Sequence, residues 1–89
     1  MTRNEIEAEI LKVLSREFEI ENPGMDDDLR EMHTFDSIDA IELLIEIERY
    51  LGSELTQAEK KKAMDIRTIR QICDYVETLA KSRLIFSPA

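Results

Sequence analysis

Apolar residues recur at spacings of three and four in three long stretches of the chain, and this period predicts three long helices. The first runs over about 3–18, the second over 37–51, and the third starts at about residue 69. The first helix carries one apolar stripe, formed by Ile6, Ile10, Val13, Leu14 and Phe18. The second is apolar over well over half of its circumference, so we expect neighbouring elements to wrap it on several sides.

A capping pattern marks four predicted helix starts, because in each a polar residue is followed three positions on by an acid or an amide. The four patterns are Thr2-Arg3-Asn4-Glu5, Asp36-Ser37-Ile38-Asp39, Thr56-Gln57-Ala58-Glu59 and Thr68-Ile69-Arg70-Gln71. The pattern at Thr56 begins a short helix that ends at about Met64. The narrow apolar face of this short helix predicts a weakly anchored, mobile element. Gly52 is a fitting C-terminal cap for the second long helix.

The segment 19–35 lacks helical periodicity and predicts a long loop between the first two long helices. Within it, Leu29, Met32 and Phe35 are spaced by three, which predicts a short helical turn that packs on the core. With only two glycines and two prolines in 89 residues, the chain has little material for hairpins. We therefore predict an all-α fold, a small four-helix bundle over 1–82, followed by a C-terminal tail over 83–89.

The net charge of −8 argues against binding to nucleic acids or anionic membrane surfaces, which attract basic proteins. Partners with basic patches would be attracted instead. No segment is long and apolar enough to span a bilayer, and no signal peptide opens the chain, so we expect a cytoplasmic protein. We also expect it to be a monomer.

The single cysteine, Cys73, and the single histidine, His33, rule out an internal disulfide and a zinc site built within one chain. Cys73 falls on an apolar stripe and is expected to be a buried small hydrophobe. His33 lies close to Ser37 in sequence, but no G-x-S-x-G motif surrounds the serine, so we assign no catalytic residue. An EF-hand reading from Asp26 fails, because Glu31 stands where glycine is needed. We therefore predict no metal site.

The stretch around Ser37 combines a helix start with an exposed acidic stripe. Asp39, Glu42 and Glu46 share one narrow face of the predicted helix, at spacings of three and four. Free N–H groups at a helix N-terminus favour an anion attached near the Ser37 hydroxyl. On local pattern alone, Ser37 is part of a cap and the acidic stripe is a solvated face.

The same stretch resembles the Asp-Ser-Leu-Asp-x-Val-Glu-Leu signature of acyl carrier proteins. The matching residues are Asp36-Ser37-Ile38-Asp39-Ala40-Ile41-Glu42-Leu43. The resemblance covers roughly 3–80, with Gly52 after the second long helix and Asp74-Tyr75-Val76 where carriers often read Asp-Tyr-Ile. It implies a non-enzymatic carrier that holds acyl groups as thioesters on a 4′-phosphopantetheine arm attached to Ser37. It also implies a role in fatty-acid, lipid or polyketide-type biosynthesis.

The resemblance further implies partners, namely a phosphopantetheinyl transferase and acyl-transferring or acyl-modifying enzymes with basic docking patches. The acids expected to meet those patches are Asp36, Asp39 and Glu42, to which helix geometry adds Glu46. An apolar chain would enter between helices, in a cleft that we expect to be lined by Ile41, Leu44, Ile45 and Met64.

Several residues depart from the family pattern and indicate a specialised carrier. Thr34 stands where the family usually has glycine, and His33 stands where an aliphatic residue is common. Arg49 replaces a typical acid. Residues 60–62 are lysines, although the corresponding helix is usually acidic. One alternative is an aminoacyl or peptidyl carrier of the same fold, which would usually show Gly-Gly before the serine and fewer acids. Another is an acidic adaptor that carries nothing and binds a basic groove. The third alternative is an enzyme.

Overall fold

The computed structural model describes residues 1–88, and the regular structure of these residues is helical. It forms α1 (Arg3–Phe18), α2 (Leu29–Met32), α3 (Ser37–Leu51), α4 (Gln57–Ala63) and α5 (Ile69–Ser82). No strand occurs within residues 1–88, so the prediction of a small all-helical bundle is confirmed. Ala89, the last residue of the predicted tail, lies outside the described residues.

The four predicted capping boxes are all present and fix where α1, α3, α4 and α5 begin. At the start of α3, the Asp39 N–H donates to Asp36 Oδ1 at 2.9 Å, and the Asp36 N–H donates to Asp39 Oδ2 at 3.1 Å. The helix ends at Gly52, whose φ of 73° lies in the left-handed region that glycine adopts without strain. The sequence therefore defines α3 at both ends.

The one-turn helix α2 lies within the long connection between α1 and α3 and holds it against the bundle. Its cap, Asp28, accepts hydrogen bonds from two backbone N–H groups of the turn. The Leu29 side chain is buried, and its N–H donates to the Arg67 carbonyl at 2.8 Å. Phe35 packs edge-on against Phe18, with ring centroids 5.3 Å apart. The predicted helical turn is thus a fifth helix, which the four-helix prediction did not count.

The core lies where α1 packs against α5 and α3. Four of the five side chains in the predicted α1 stripe are buried, and Phe18 is half-buried. Cys73 in α5 is fully buried, as predicted. Its apolar surroundings raise the pKa of its thiol to about 11, because burial disfavours the thiolate.

The expectation that neighbours wrap α3 on several sides is wrong. Leu43, Ile47 and Leu51 are buried, but Ile38 is 65 % exposed and Ile41 is 61 % exposed. The reason is that α4 is short and buries none of its residues, so it covers α3 incompletely. An apolar face of α3 is left open beside α4.

Polar contacts tether the N-terminal half of α4. Both terminal nitrogens of Arg83 bind the Glu59 carboxylate, at 2.8 and 3.0 Å. The Tyr75 hydroxyl donates to the Glu59 carbonyl at 2.7 Å, and Arg83 Nε donates to Ser53 Oγ. Weak apolar anchorage of α4 was therefore predicted correctly, but these contacts were not anticipated. The mobility of α4 stays a prediction.

The tail after α5 folds back onto the bundle. The Ile85 carbonyl accepts a hydrogen bond from the Met1 nitrogen at 2.5 Å, and the Ser87 N–H donates to the Met1 carbonyl at 2.6 Å. Phe86 is half-buried against the core, and Lys81 Nζ lies 5.1 Å from the centre of its ring. The sequence left open whether this segment docks, and within residues 83–88 it does.

Candidate functional site

Ser37 is the first residue of α3, and its side chain is exposed. The carboxylates of Asp36 and Asp39 are nearby, but each is turned back onto a backbone N–H by the capping box. The first turn of a helix leaves further N–H groups without partners inside the helix, and their dipoles favour an anion. A phosphate ester on the Ser37 oxygen would therefore lie at the positive end of α3.

A cavity of about 720 Å³ opens between α3 and α4, and Ser37 forms part of its wall. Most of its lining is apolar. All four predicted cleft residues line this cavity, namely Ile41, Leu44, Ile45 and Met64. Three of them are exposed to the opening, because α4 does not close over the face of α3. A reactive group attached at Ser37 would have an apolar space directly beside it.

The predicted acidic stripe follows α3 away from Ser37, but its members differ in their surroundings. Asp36 and Glu42 are exposed, and Asp39 is half-buried. The Glu46 side chain is only 15 % exposed and pairs with Arg16 at 3.2 Å and with Arg49 at 3.0 Å. The spacing of residues along α3 could not reveal the contact with Arg16, because that side chain comes from α1. Glu46 is therefore neutralised within the chain.

A family model described as "Phosphopantetheine attachment site" matches residues 8–76, which is well over half of the chain. The chain belongs to this family of carrier domains. No curated protein and no solved structure matched the chain in the same comparisons. Domains of the family carry a covalently attached 4′-phosphopantetheine and are themselves non-catalytic. They are served by a phosphopantetheinyl transferase and by partner enzymes.

The residues of this carrier domain fit such a group. A phosphodiester needs an accessible serine and a local environment that accepts negative charge, and exposed Ser37 at the start of α3 provides both. The capping bonds direct the two neighbouring carboxylates to backbone N–H groups. When bound, the arm supplies a terminal thiol that can hold an acyl group as a thioester. The cavity beside Ser37 offers space for an apolar part of that group.

His33 helps to fix the loop of the carrier domain. Its Nε2 lies 3.1 Å from Asp27 Oδ2, and the same carboxylate accepts the Gly24 N–H at 2.8 Å. The contact with His33, followed by the one with Gly24, holds the pKa of Asp27 below its usual value. No hydrogen bond joins His33 to Ser37 within residues 1–88. These contacts give the histidine a structural role in the loop.

The sequence interpretation missed a set of cations on the cavity wall, namely Arg30, Lys60, Lys61 and Arg67. The lysines were identified only as exposed residues of the short helix. A signal was available, because Lys60 and Lys61 precede Met64 by four and three positions and so share its helix face. The two arginines reach the cavity through loop geometry that no sequence period encodes.

Within the described part of the carrier domain, no group of three or more His, Cys, Asp or Glu side chains is arranged to hold a metal ion. No helix of residues 1–88 is long and apolar enough to cross a membrane.

Proposed function

We propose that this carrier domain is an acyl carrier protein whose 4′-phosphopantetheine arm is attached to Ser37 Oγ. It holds acyl intermediates as thioesters and delivers them to enzymes of fatty-acid, lipid or polyketide-type biosynthesis. The observation that carries the proposal is the position of exposed Ser37 on the wall of a mainly apolar cavity of about 720 Å³. The family match supports the arm itself, and the cavity supports an acyl cargo.

Attachment of the arm forms one P–O bond and breaks another. The Ser37 oxygen attacks the phosphorus of coenzyme A that is bonded to the pantetheine. The bond from that phosphorus to the bridging oxygen breaks, adenosine 3′,5′-bisphosphate leaves, and the hydroxyl proton passes to the transferase. The carrier contributes an accessible nucleophile and the positive end of α3, whereas the separate transferase provides the catalytic groups.

Partner enzymes would dock on the acidic residues near Ser37, of which Asp36 and Glu42 are exposed. Asp36 caps α3, and Asp39 and Glu42 lie in its first half, so a basic patch that contacts them is brought close to the arm. Exposed charges of this kind accelerate association more than they strengthen binding, and salt screens them. Glu46 contributes less in this proposal, because Arg16 and Arg49 already neutralise it.

The cavity favours an acyl cargo over an aminoacyl cargo. A short, charged aminoacyl group has little apolar surface to bury, whereas an alkyl chain gains free energy when it leaves water. The exposed Ile41, Ile45 and Met64 provide the surface against which such a chain can pack. A non-carrier adaptor would use only the acidic face and would leave the family's attachment site without a role.

The proposal is tested by incubating the apo-protein with coenzyme A, Mg²⁺ and a broad-specificity phosphopantetheinyl transferase, then measuring its intact mass. We expect the mass of one phosphopantetheine to be added to the wild type and none to Ser37→Ala. Ser53→Ala, which lies beyond the other end of α3, is the matched control and should be modified normally. A wild type that gains no mass, or a Ser37→Ala variant that does, would contradict the proposal.

The acyl cargo is tested by loading the arm with octanoyl or with alanyl groups and measuring the melting temperature. We expect the octanoyl form to melt higher than the free-thiol form, because a group that binds only the folded state stabilises it. The alanyl form should have the same melting temperature as the free-thiol form. Equal stabilisation by both groups, or by neither, would count against an acyl-binding cavity.

A further inference from the structure

Positive side chains surround the apolar cavity of a strongly acidic protein. The chain has 20 acidic and 12 basic residues, yet Glu48 is the only acid on the cavity wall among the described residues. Four cations line the same wall, and they come from α2, α4 and the loop before α5: Arg30, Lys60, Lys61 and Arg67. Their presence around one cavity is therefore a feature of the folded structure and not of one basic stretch.

None of these four cations has a carboxylate partner within residues 1–88. By contrast, half of the basic residues are paired with acids, namely Arg3, Arg16, Arg49, Arg70, Lys81 and Arg83. Arg67 Nη1 donates to two backbone carbonyls, those of Met64 and Ile66, which fixes the position of the guanidinium at the cavity. Glu48 is occupied elsewhere, because its Oε2 accepts the Leu55 N–H at 2.8 Å.

Two of the cations, Lys60 and Arg67, are already half-buried. An alkyl chain that filled the cavity would remove more water from these charges and offer no hydrogen-bond acceptor in return. An occupant with an anionic group would fill the apolar space and also supply the missing acceptors. Charge-assisted hydrogen bonds of this kind are strong where water is partly excluded.

We propose that the cavity selects acyl groups that carry a carboxylate at the end remote from the thioester. The apolar wall of α3 would hold the methylene chain, and the cations Arg30, Lys60, Lys61 and Arg67 would hold the carboxylate. This inference rests on the proposed function, because it needs an acyl group on the arm at Ser37. It narrows the cargo from acyl groups in general to acyl groups derived from dicarboxylic acids.

The phosphodiester of the arm is the other anion that could meet these cations. It is common to every loaded form, whereas the remote carboxylate is present only in some. A comparison of two cargoes of equal chain length therefore separates the two sources of negative charge.

The experiment loads the arm with an octanoyl group or with the matching octanedioyl group, each from its coenzyme A thioester. Intact mass confirms loading, and the melting temperature of each form is then measured. We expect the melting temperature of the octanedioyl form to exceed that of the octanoyl form by about 4 °C or more. A shift of this size is typical of one added stabilising interaction in a domain of this length. Simple repulsion from a net charge of −8 predicts the opposite order.

The variants assign the effect to the cavity cations. The double variant Lys60→Met, Lys61→Met keeps the apolar stems and the helix propensity but removes two charges. In this double variant, most of the difference in melting temperature between the octanedioyl and octanoyl forms should be lost. Lys62→Met is the matched control, because Lys62 is in the same helix and does not line the cavity. It should keep the difference.

Three results would overturn the inference. The first is an octanedioyl form that melts at or below the octanoyl form. The second is a preference that survives the double variant or is lost equally in Lys62→Met. The third is a double variant whose free-thiol, octanoyl and octanedioyl forms all lose the same stability while its apo-protein loses none, which would assign the cations to the arm's phosphate. If no arm is added at all, intact mass shows it first, and the proposed function fails together with this inference.

Discussion

Ser37 combines exposure with a local environment that tolerates negative charge. Its neighbours Asp36 and Asp39 would repel a phosphodiester, but the capping box engages both carboxylates with backbone N–H groups. The same capping box therefore starts the helix and leaves Ser37 exposed as the proposed attachment point. The capping pattern could be read from the sequence, because it depends on residues only three positions apart.

Contacts between distant residues could not be read in the same way. The pairing of Glu46 with Arg16 joins α3 to α1, so no local pattern encodes it. The contact of His33 with Asp27 likewise depends on how the loop folds. The sequence alone could not supply the structural role that His33 has in this loop.

Cys73 gives the first prediction at the scale of a residue. Its thiol is buried and its pKa is raised to about 11, so it carries almost no thiolate at neutral pH. We expect native apo-protein to show no rapid reaction with a thiol reagent, and protein with the arm to show one rapidly reacting thiol. Both should gain one further reactive thiol in denaturant. Rapid labelling of Cys73 in the native apo-protein would contradict the buried position.

The open face of α3 is the feature at the scale of elements that creates the cavity. The sequence indicated a helix that is apolar on most sides, which is typical of a buried helix. In the structure α4 is too short to cover that face, and Ile38 and Ile41 remain exposed. Periodicity identifies which residues share a face, but it does not say whether a neighbour covers that face. That depends on the length and position of α4.

The Arg83–Glu59 contact gives a prediction about how α4 is held. The carboxylate accepts from Arg83 and from the Thr56 N–H, and these bonds lower the pKa of Glu59 to about 2. A carboxyl whose pKa falls on folding stabilises the fold above its ordinary pKa of 4.5, and the contribution is lost as the pH falls toward 2. Arg83→Met should lower the free energy of unfolding by about 1–2 kcal/mol at neutral pH.

Urea unfolding of wild type and Arg83→Met at pH 7 and at about pH 2 measures this effect. The difference between the two proteins should shrink at the lower pH, because Glu59 is then protonated in the unfolded chain and partly protonated in the folded wild type, which weakens its bond with Arg83. Arg70→Met is the control. The ion pair of Arg70 with Asp26 is exposed, so its removal should leave the free energy of unfolding nearly unchanged. A difference that is equally large at both pH values would show that the Glu59 charge is not responsible.

Charge is distributed unevenly over the whole molecule. The start of α3 presents acids outside the cavity, whereas the cavity itself is lined by cations from α2, α4 and the loop before α5. The net charge of −8 conceals this division. Composition gives the acidic character and the expectation of partners with basic patches, but only the fold reveals that unpaired cations line the cavity.

The acidic face gives a prediction for docking. Glu42→Lys changes an exposed acid outside the capping box, so it should leave the start of α3 intact. We expect it to lower the kcat/KM of the phosphopantetheinyl transferase about tenfold at low salt, because steering toward a basic patch is lost. High salt should reduce the gap between variant and wild type.

Glu54→Lys makes the same change in net charge beyond the far end of α3 and serves as the control. It should have a much smaller effect on the transferase. Equal losses in the two variants would assign the effect to net charge alone and would contradict docking on the first half of α3.

The central claim is that Ser37 carries the arm, and peptide mapping of the modified protein tests it most directly. Trypsin releases the peptide 31–49, in which Ser37 is the only serine. After treatment with coenzyme A and a transferase, we predict that the added phosphopantetheine is found on this peptide, with fragment ions placing it on Ser37. Phosphopantetheine on any other peptide, or on Thr34 within this one, would contradict the account.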